Sequence, residues 1–106
     1  MLTNKIYGLL GISMKAGKVT FGTDSTMDMI SKRKVKLVIV AQDSSQRTIM
    51  HFKEKCYEYN IPFYTFGDKE SLSKAIGKEN KTVIGIKDKN LAEATKKILD
   101  GGDVIG

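Results

Sequence analysis

The stretch KAGKVTFGTDSTMDMI, from Lys15 to Ile30, decides how the rest of this sequence is interpreted. It indicates the end of a helix, a short strand over 18–21, and a second helix that begins at Gly22. A helix N-terminus presents unpaired backbone N–H groups and a partial positive charge, which together attract anions. Because Lys15 and Lys18 precede this junction, it is a candidate phosphate site. A single glycine before a helix is equally typical of an ordinary turn.

Outside this stretch, the apolar residues alternate between helical and extended periods. The run LVIVA, residues 37–41, is β-branched and continuously apolar, as expected of a central strand covered on both faces. Alternating helices and strands with short connections predict an α/β fold with helices on both faces of a small sheet. Five helices are predicted, four of them over 3–16, 22–31, 68–76 and from 88 to the Gly101-Gly102 pair. The remaining helix, third in the chain, begins at one of Asp43, Ser44 and Ser45 and ends at about 59. The predicted strands cover 18–21, 37–41, 63–66 and 82–86.

The bulk properties favour one domain, residues 1–106, with an acidic partner. The chain has 106 residues, enough for one core, and a formal net charge of +6. No apolar stretch approaches 18 residues, so we expect no membrane span. The lone cysteine excludes an intrachain disulfide and a thiolate metal cluster, and it fits a reducing cytoplasm.

The sequence holds little that predicts catalysis. The one histidine, His51, has no Cys, His or acidic partners at ligand spacing, so we expect no metal and no cofactor. Cys56 falls on the apolar stripe of its helix with Phe52, which is typical of a buried structural thiol. Asp43 follows a strand but lacks the acidic cluster of a phosphoacceptor site, and we interpret it as a helix N-cap. With no nucleophile–base pair and no phosphate loop, an enzyme is not expected.

Charge placement favours a nucleic acid. If the loops at the strand ends converge, four lysines ring the helix start at Gly22, and three short polar residues after it face the bases. Aromatic stacking residues are not evident, which favours recognition of a folded RNA shape over a single strand. The candidate RNA-binding residues are Lys15, Lys18, Gly22, Thr23, Asp24, Ser25, Lys78 and Lys81.

Four segments together resemble a known family: LLGISMKAGKVTFG, KVKLVIVAQDSS, CYEYNIPFYTFGDKESLSKAIGKE and VIGIKD. Over nearly its whole length the chain resembles a bacterial member of the ribosomal-protein family that binds kink-turn RNA, which includes the archaeal seven-Ae and eukaryotic thirty-e proteins. The resemblance implies a three-layer α-β-α sandwich with a four-stranded mixed sheet. It also implies binding of structured, ribosomal RNA, association with ribosomal proteins, and no enzymatic activity.

The resemblance also places the RNA-reading segment, which in this family runs Gly-x-Asn-Glu-x-x-Lys. The chain keeps the glycine as Gly22 but has Asp24, Ser25 and Asp28 at the other three positions. These changes remove an amide donor, a carboxylate acceptor and a positive charge, and base contacts are worth about 1–3 kcal/mol each. Two functions therefore follow: a non-enzymatic RNA-binding protein, or a protein–protein interaction module that keeps the fold without specific kink-turn recognition.

Overall fold

A computed structural model describes residues 2–101; Met1 and residues 102–106, which include Gly102 of the predicted helix stop, lie outside the described residues. The elements follow the predicted order, and their ends either coincide with the predicted ones or lie within three residues of them. None of the helices in the described range is long and apolar enough to cross a membrane. The elements are α1 (Leu2–Lys15), β1 (Val19–Phe21), α2 (Thr23–Ser31), β2 (Leu37–Val40), α3 (Gln46–Glu58), β3 (Phe63–Thr65), α4 (Lys69–Ala75), β4 (Val83–Ile86) and α5 (Lys89–Leu99).

The four strands form one mixed sheet with the order β1-β4-β2-β3. Strand β4 pairs antiparallel with β1 on one side and with β2 on the other, while β2 and β3 are parallel. The central position of β2 and β4 explains their composition, because every residue of both strands is buried. The predicted central strand over 37–41 is confirmed.

Helices cover both faces of the sheet, so the predicted three-layer α-β-α sandwich is confirmed. Leu37 and Ile39 point into a core formed with α1, α4 and α5. Val38 and Val40 point the other way, into a second core formed with α2 and α3. This division follows from the strand period of two, which sends successive side chains of a continuous apolar run to opposite faces.

Asp43 does not have the predicted role of capping the helix that follows it. Helix α3 begins at Gln46, so Ser45 is its N-cap and accepts from the Thr48 N–H at 3.1 Å. Asp43 Oδ1 instead accepts from the backbone N–H of Lys69, at the start of α4, at 2.9 Å. Because β2 and β3 are parallel, the helices after them open at the same edge of the sheet, and the loop before α3 reaches the start of α4.

Candidate nucleic-acid interface

The N-terminus of α2 differs from those of the next three helices because no side chain caps it. Its N-cap is Gly22, with φ 89° and ψ 158°. The N-caps of α3, α4 and α5 are Ser45, Asp68 and Asp88, and the side chain of each accepts a hydrogen bond from a backbone N–H in the first turn of its own helix. This backbone conformation is essentially restricted to glycine. The first-turn N–H groups of α2 therefore point outward without a side-chain acceptor, which is the geometry of an anion site.

The pairing of β1 with β4 brings the α4–β4 loop to this helix start. Phe21 is opposite Ile84, and the Gly22 N–H donates to the Val83 carbonyl at 3.0 Å. Two lysines of the loop then approach Phe21: Lys78 Nζ is 5.2 Å and Lys81 Nζ is 5.6 Å from the centre of its ring. The structure therefore brings Lys78, Lys81 and Gly22 together, as the sequence predicted.

Phe21 itself was missed by sequence reasoning. Its side chain is half-buried, and its ring receives two ammonium groups at cation–π distance. The only signal in the sequence was its position directly before Gly22 at the end of a short strand. We define a candidate nucleic-acid surface, called the RNA face below, as Phe21, the first turn of α2 and the loop 77–82.

A buried serine shapes the loop of the RNA face. Ser73 Oγ accepts from the Lys81 N–H at 2.8 Å and donates to the Lys81 carbonyl at 3.0 Å. The Ser73 carbonyl also accepts from the Lys78 N–H at 2.8 Å. Asn80 has a left-handed φ of 58° between these two anchors. One residue thus holds both ends of the segment that carries the two lysines.

Lys15 and Lys18 lie elsewhere. Lys18 precedes β1, at the opposite end of the strand from Gly22, and its carbonyl accepts from the Lys87 N–H at 2.8 Å. Lys15 is the last residue of α1, in the turn that leads to Lys18. A strand rises about 3.3 Å per residue, so the Cα atoms of Lys18 and Gly22 are separated by about 13 Å. The structure does not bring these two lysines into the predicted ring, because the whole length of β1 separates them from Gly22.

A cleft between α2 and α3 adds residues that sequence reasoning missed. It has a volume of about 400 Å³ and brings Arg47 and His51 of α3 beside Thr23 and Asp24 of α2. All four side chains are exposed. Arg47 and His51 are four residues apart on a helix and so share a face, which is the signal that was available. The cleft supplies a guanidinium close to the acidic side chain of Asp24.

A second groove borders the loop on the α4 side and has a volume of about 690 Å³. Seven of its eight lining residues are charged or polar, so it resembles a surface channel for a charged chain more than an apolar pocket for a small molecule. The lining residues are Lys69, Glu70, Ser73, Lys74, Gly77, Lys78, Glu79 and Asn80.

Asp28 occupies the position where the family resemblance expects a lysine. Its Oδ2 lies 3.1 Å from Lys32 Nζ, and both side chains are 56% exposed. An exposed pair of this kind adds little stability. The pairing turns Lys32 toward Asp28 and leaves this part of α2 without a free positive charge.

The described residues contain no group of three or more His, Cys, Asp and Glu side chains that could hold a metal ion. Cys56 is fully buried, as predicted, and burial raises its thiol pKa to about 12. The thiolate is the nucleophilic form of cysteine, so Cys56 is unreactive near neutral pH. His51 is an exposed residue on α3.

Comparisons with known proteins identify relatives along most of the chain. The model of the Ribosomal protein L7Ae/L30e/S12e/Gadd45 family matches residues 4–96. RNA-binding protein YlxQ of Enterococcus faecium is 35% identical over 97 residues, covering 92% of this chain and 93% of that protein. RNA-binding protein YlxQ of Bacillus subtilis (strain 168) is 31% identical over 94 residues, covering 89% of this chain and 94% of that protein.

Solved structures agree with the fold. A protein with unknown function from Bacillus halodurans C has a TM-score of 0.88 and 30% identity, and the match covers 91% of this chain and 97% of that one. The Giardia lamblia 15.5kD RNA binding protein has a TM-score of 0.81 and 18% identity, and the match covers 99% of this chain and 90% of that one. The family resemblance seen in the sequence is confirmed by these relatives, and the second structure supports the fold alone.

Proposed function

The chain belongs to the L7Ae/L30e/S12e/Gadd45 ribosomal protein family, and from that premise we propose that it is a non-enzymatic protein that binds structured RNA. Two relatives more than 30% identical over most of their length are named as RNA-binding proteins. The net charge of +6 supports a polyanionic partner, because electrostatic attraction to phosphates supplies most sequence-independent affinity for nucleic acid.

One observation carries the proposal: the uncapped N-terminus of α2 adjoins Phe21, on whose ring Lys78 and Lys81 converge. Backbone N–H groups and ammonium groups on one face can hold neighbouring phosphates of a folded RNA. Gly22 permits the backbone to approach the ligand closely because it has no side chain there, and nothing lies within 4 Å of an ideal Cβ at this position.

The exposed side chains of the first turn determine how much of the RNA sequence is read. Thr23, Asp24 and Ser25 are exposed on the uncapped first turn of α2 and are therefore accessible to an RNA. Asp24 and Ser25 lack the amide donor and the carboxylate that the family pattern provides. We therefore propose that the protein recognises kink-turn-like, ribosomal RNA by its shape and backbone, with few base-specific contacts.

The test is an electrophoretic shift at low salt with three RNAs: a kink-turn, a plain duplex and total ribosomal RNA. We expect binding to all three, strongest for the folded RNAs, and weakening as salt rises. The double variant Lys78→Gln/Lys81→Gln should bind about tenfold or more weakly, since each lysine that contacts a phosphate contributes to the affinity. The control Lys53→Gln/Lys97→Gln removes the same charge from exposed positions on α3 and α5.

Three outcomes would contradict the proposal. Absence of a shift with any RNA would remove RNA binding. An equal loss of RNA affinity in the control variant would show that the effect depends on net charge and not on the position of the lysines. Equal binding of all three RNAs would retain RNA binding but exclude recognition of a folded shape.

The second candidate is a protein–protein interaction module. It is favoured by the three departures from the family pattern at Asp24, Ser25 and Asp28, and by the ion pair between Asp28 and Lys32. This function predicts no RNA shift, together with co-purification of a ribosomal protein that is lost in the Phe21→Ala variant.

A further inference from the structure

We propose that this protein has a second RNA-backbone site at the end of the sheet opposite Gly22, formed by Lys18, Lys36 and Lys87. This lysine row would bind the phosphates of a second RNA segment while the RNA face binds the first. The proposal rests on the proposed RNA-binding function and adds to it a separate surface. It also gives a role to Lys18 and to the basic run 32–36, which the RNA face does not use.

Backbone hydrogen bonds place the three lysines side by side. The Lys87 N–H donates to the Lys18 carbonyl at 2.8 Å, and the Lys36 N–H donates to the Ile86 carbonyl at 2.7 Å. Strand β1 begins here, β4 ends here, and β2 begins here. Neighbouring strands are about 4.7–4.9 Å apart, so the three side chains start from adjacent points along one edge.

This arrangement opposes folding when no anion is bound. Lys18 and Lys87 flank the Val19–Ile86 pair at the ends of β1 and β4, and like charges this close across neighbouring strands are unfavourable. In the part of the chain that the structure describes, none of the three lysines belongs to an ion pair. The nearest acid in sequence, Asp88, accepts the Leu91 N–H at 2.9 Å as the N-cap of α5. Three neighbouring ammonium groups without an ion pair in the described residues are what a polyanion would neutralise.

Two clefts extend the basic surface on either side of Lys36. One, of about 270 Å³, brings Lys36 together with Arg33 and Tyr59. The Arg33 guanidinium lies 4.8 Å from the centre of the Tyr59 ring, so the cleft offers both a cation and an aromatic surface. The other, of about 430 Å³, brings Lys36 beside α5.

The α5 cleft remains basic after its acids are counted. It contains Lys36, Lys89 and Lys96 against one acidic lining residue, Glu93. Lys96 Nζ is engaged with Asp100 Oδ2 at 2.7 Å, which leaves two lysines to face Glu93. Both clefts share Lys36 with the lysine row, so the excess of positive charge extends from the row to either side of that residue.

RNA fits this surface better than a lipid membrane does. Proteins that lie on membranes combine basic residues with apolar side chains that enter the bilayer. The large apolar side chains that the structure describes as exposed are Ile12, Met50 and Tyr57, and none of them lines either cleft. Since about 13 Å of strand separates Lys18 from Gly22, a phosphate held by the row cannot also contact the RNA face.

The test measures how many copies of a short blunt-ended RNA duplex bind one protein molecule at low salt, by native mass spectrometry and calorimetry. We expect two copies on the parent protein. The variant Lys36→Gln/Lys87→Gln should bind one, and so should Lys78→Gln/Lys81→Gln. In the first variant the slope of log K against log salt should fall by about 1 for each lysine removed. The control Lys53→Gln/Lys97→Gln should still bind two.

The outcomes separate this inference from the proposed function. One duplex per parent molecule, with unchanged affinity in Lys36→Gln/Lys87→Gln, would overturn the second site and leave RNA binding intact. Absence of any bound duplex would overturn both. Binding of polyglutamate to the row without competition from the duplex would assign the surface to an acidic protein and overturn the RNA assignment. Circular dichroism melting checks that each variant is folded.

Discussion

The backbone N–H of Gly22 donates to the carbonyl oxygen of Val83 at 3.0 Å. This single bond joins the start of α2 to the start of β4, directly after the loop that carries Lys78 and Lys81. The two parts of the RNA face, which are about sixty residues apart in sequence, therefore form one surface whose geometry depends on the β1–β4 pairing. The predictions below test the parts of this surface and the core beneath it.

Gly22→Ala should destabilise the protein and weaken its binding to RNA. The Gly22 φ of 89° with ψ of 158° strains any residue with a Cβ, at a cost of about 1–3 kcal/mol. There is space for the methyl group, so the cost comes from the backbone alone. Urea unfolding measures the change in the free energy of unfolding, and the gel shift measures binding.

Gly8→Ala is the matched control for that substitution. Gly8 is an exposed position within α1, and nothing lies within 4 Å of an ideal Cβ there. Alanine in a helix interior is favoured over glycine by about 0.5–1 kcal/mol, so this variant should be more stable than the parent and bind RNA equally well. A Gly22→Ala protein as stable as the parent would show that the turn tolerates another conformation.

Ser73→Ala should loosen the loop of the RNA face. The substitution removes the hydroxyl that hydrogen-bonds to both the N–H and the carbonyl of Lys81. Each lost hydrogen bond of this partly buried kind costs about 0.5–1.5 kcal/mol. Hydrogen exchange should become faster at residues 78–82, and RNA binding should weaken. Ser71→Ala, two residues earlier in α4, is the control. Unchanged exchange in Ser73→Ala would mean that the loop is held by other contacts.

Restoring the family pattern should create discrimination between RNAs. The triple variant Asp24→Asn/Ser25→Glu/Asp28→Lys supplies the amide donor, the carboxylate and the positive charge that the family pattern has. Since base contacts contribute about 1–3 kcal/mol each, preference for a kink-turn over a plain duplex should rise at least tenfold. Competition binding with both RNAs measures this ratio.

The stability of the triple variant is its internal control. The substitution at Asp28 removes an exposed ion pair with Lys32, and such pairs contribute about 0–1 kcal/mol. The free energy of unfolding should therefore change little. An unchanged kink-turn preference in a stable variant would indicate that the surrounding surface, including Arg47, holds the RNA in another register.

Cys56 should make the protein less stable at high pH. Burial raises its thiol pKa from 9.0 to about 12, so the folded state keeps its proton where the unfolded state loses it. This contribution to stability is complete below pH 9 and is lost between pH 9 and 12, at about 1.4 kcal/mol for each pH unit. Unfolding experiments across this range should show a steeper decline for the parent than for Cys56→Ala. If the free energy of unfolding fell equally in both proteins, the raised thiol pKa of Cys56 would be contradicted.

The fold was predictable because its signals are local. The apolar run over 37–41 indicated a strand covered on both faces, and Asp68 and Asp88 marked helix starts that the structure confirms. Ser45, the observed N-cap of α3, was one of three alternatives that the sequence left open. Periodicity and capping depend on residues within a few positions of one another, so they are visible without tertiary information. The family resemblance implied a mixed sheet, but the antiparallel position of β4 between β1 and β2 was not predicted.

The candidate site was only partly predictable. Gly22, Lys78 and Lys81 were expected to meet, and the structure brings them together around Phe21. Lys18 was expected there too, but the length of β1 places it at the other end of the sheet. Asp43 was predicted to cap α3, the helix that follows it in the chain. The parallel pairing of β2 and β3 instead brings Asp43 to the start of α4.

The sequence by itself determined the order of helices and strands, the buried thiol, the basic charge and the family. These properties depend on composition, on periodicity, and on short motifs that contain their own physical cause. Only the tertiary structure decided which lysines share a surface, because strand order and register set distances between residues far apart in the chain. Those distances divide the basic residues into the RNA face at Gly22 and the lysine row at the opposite end of the sheet.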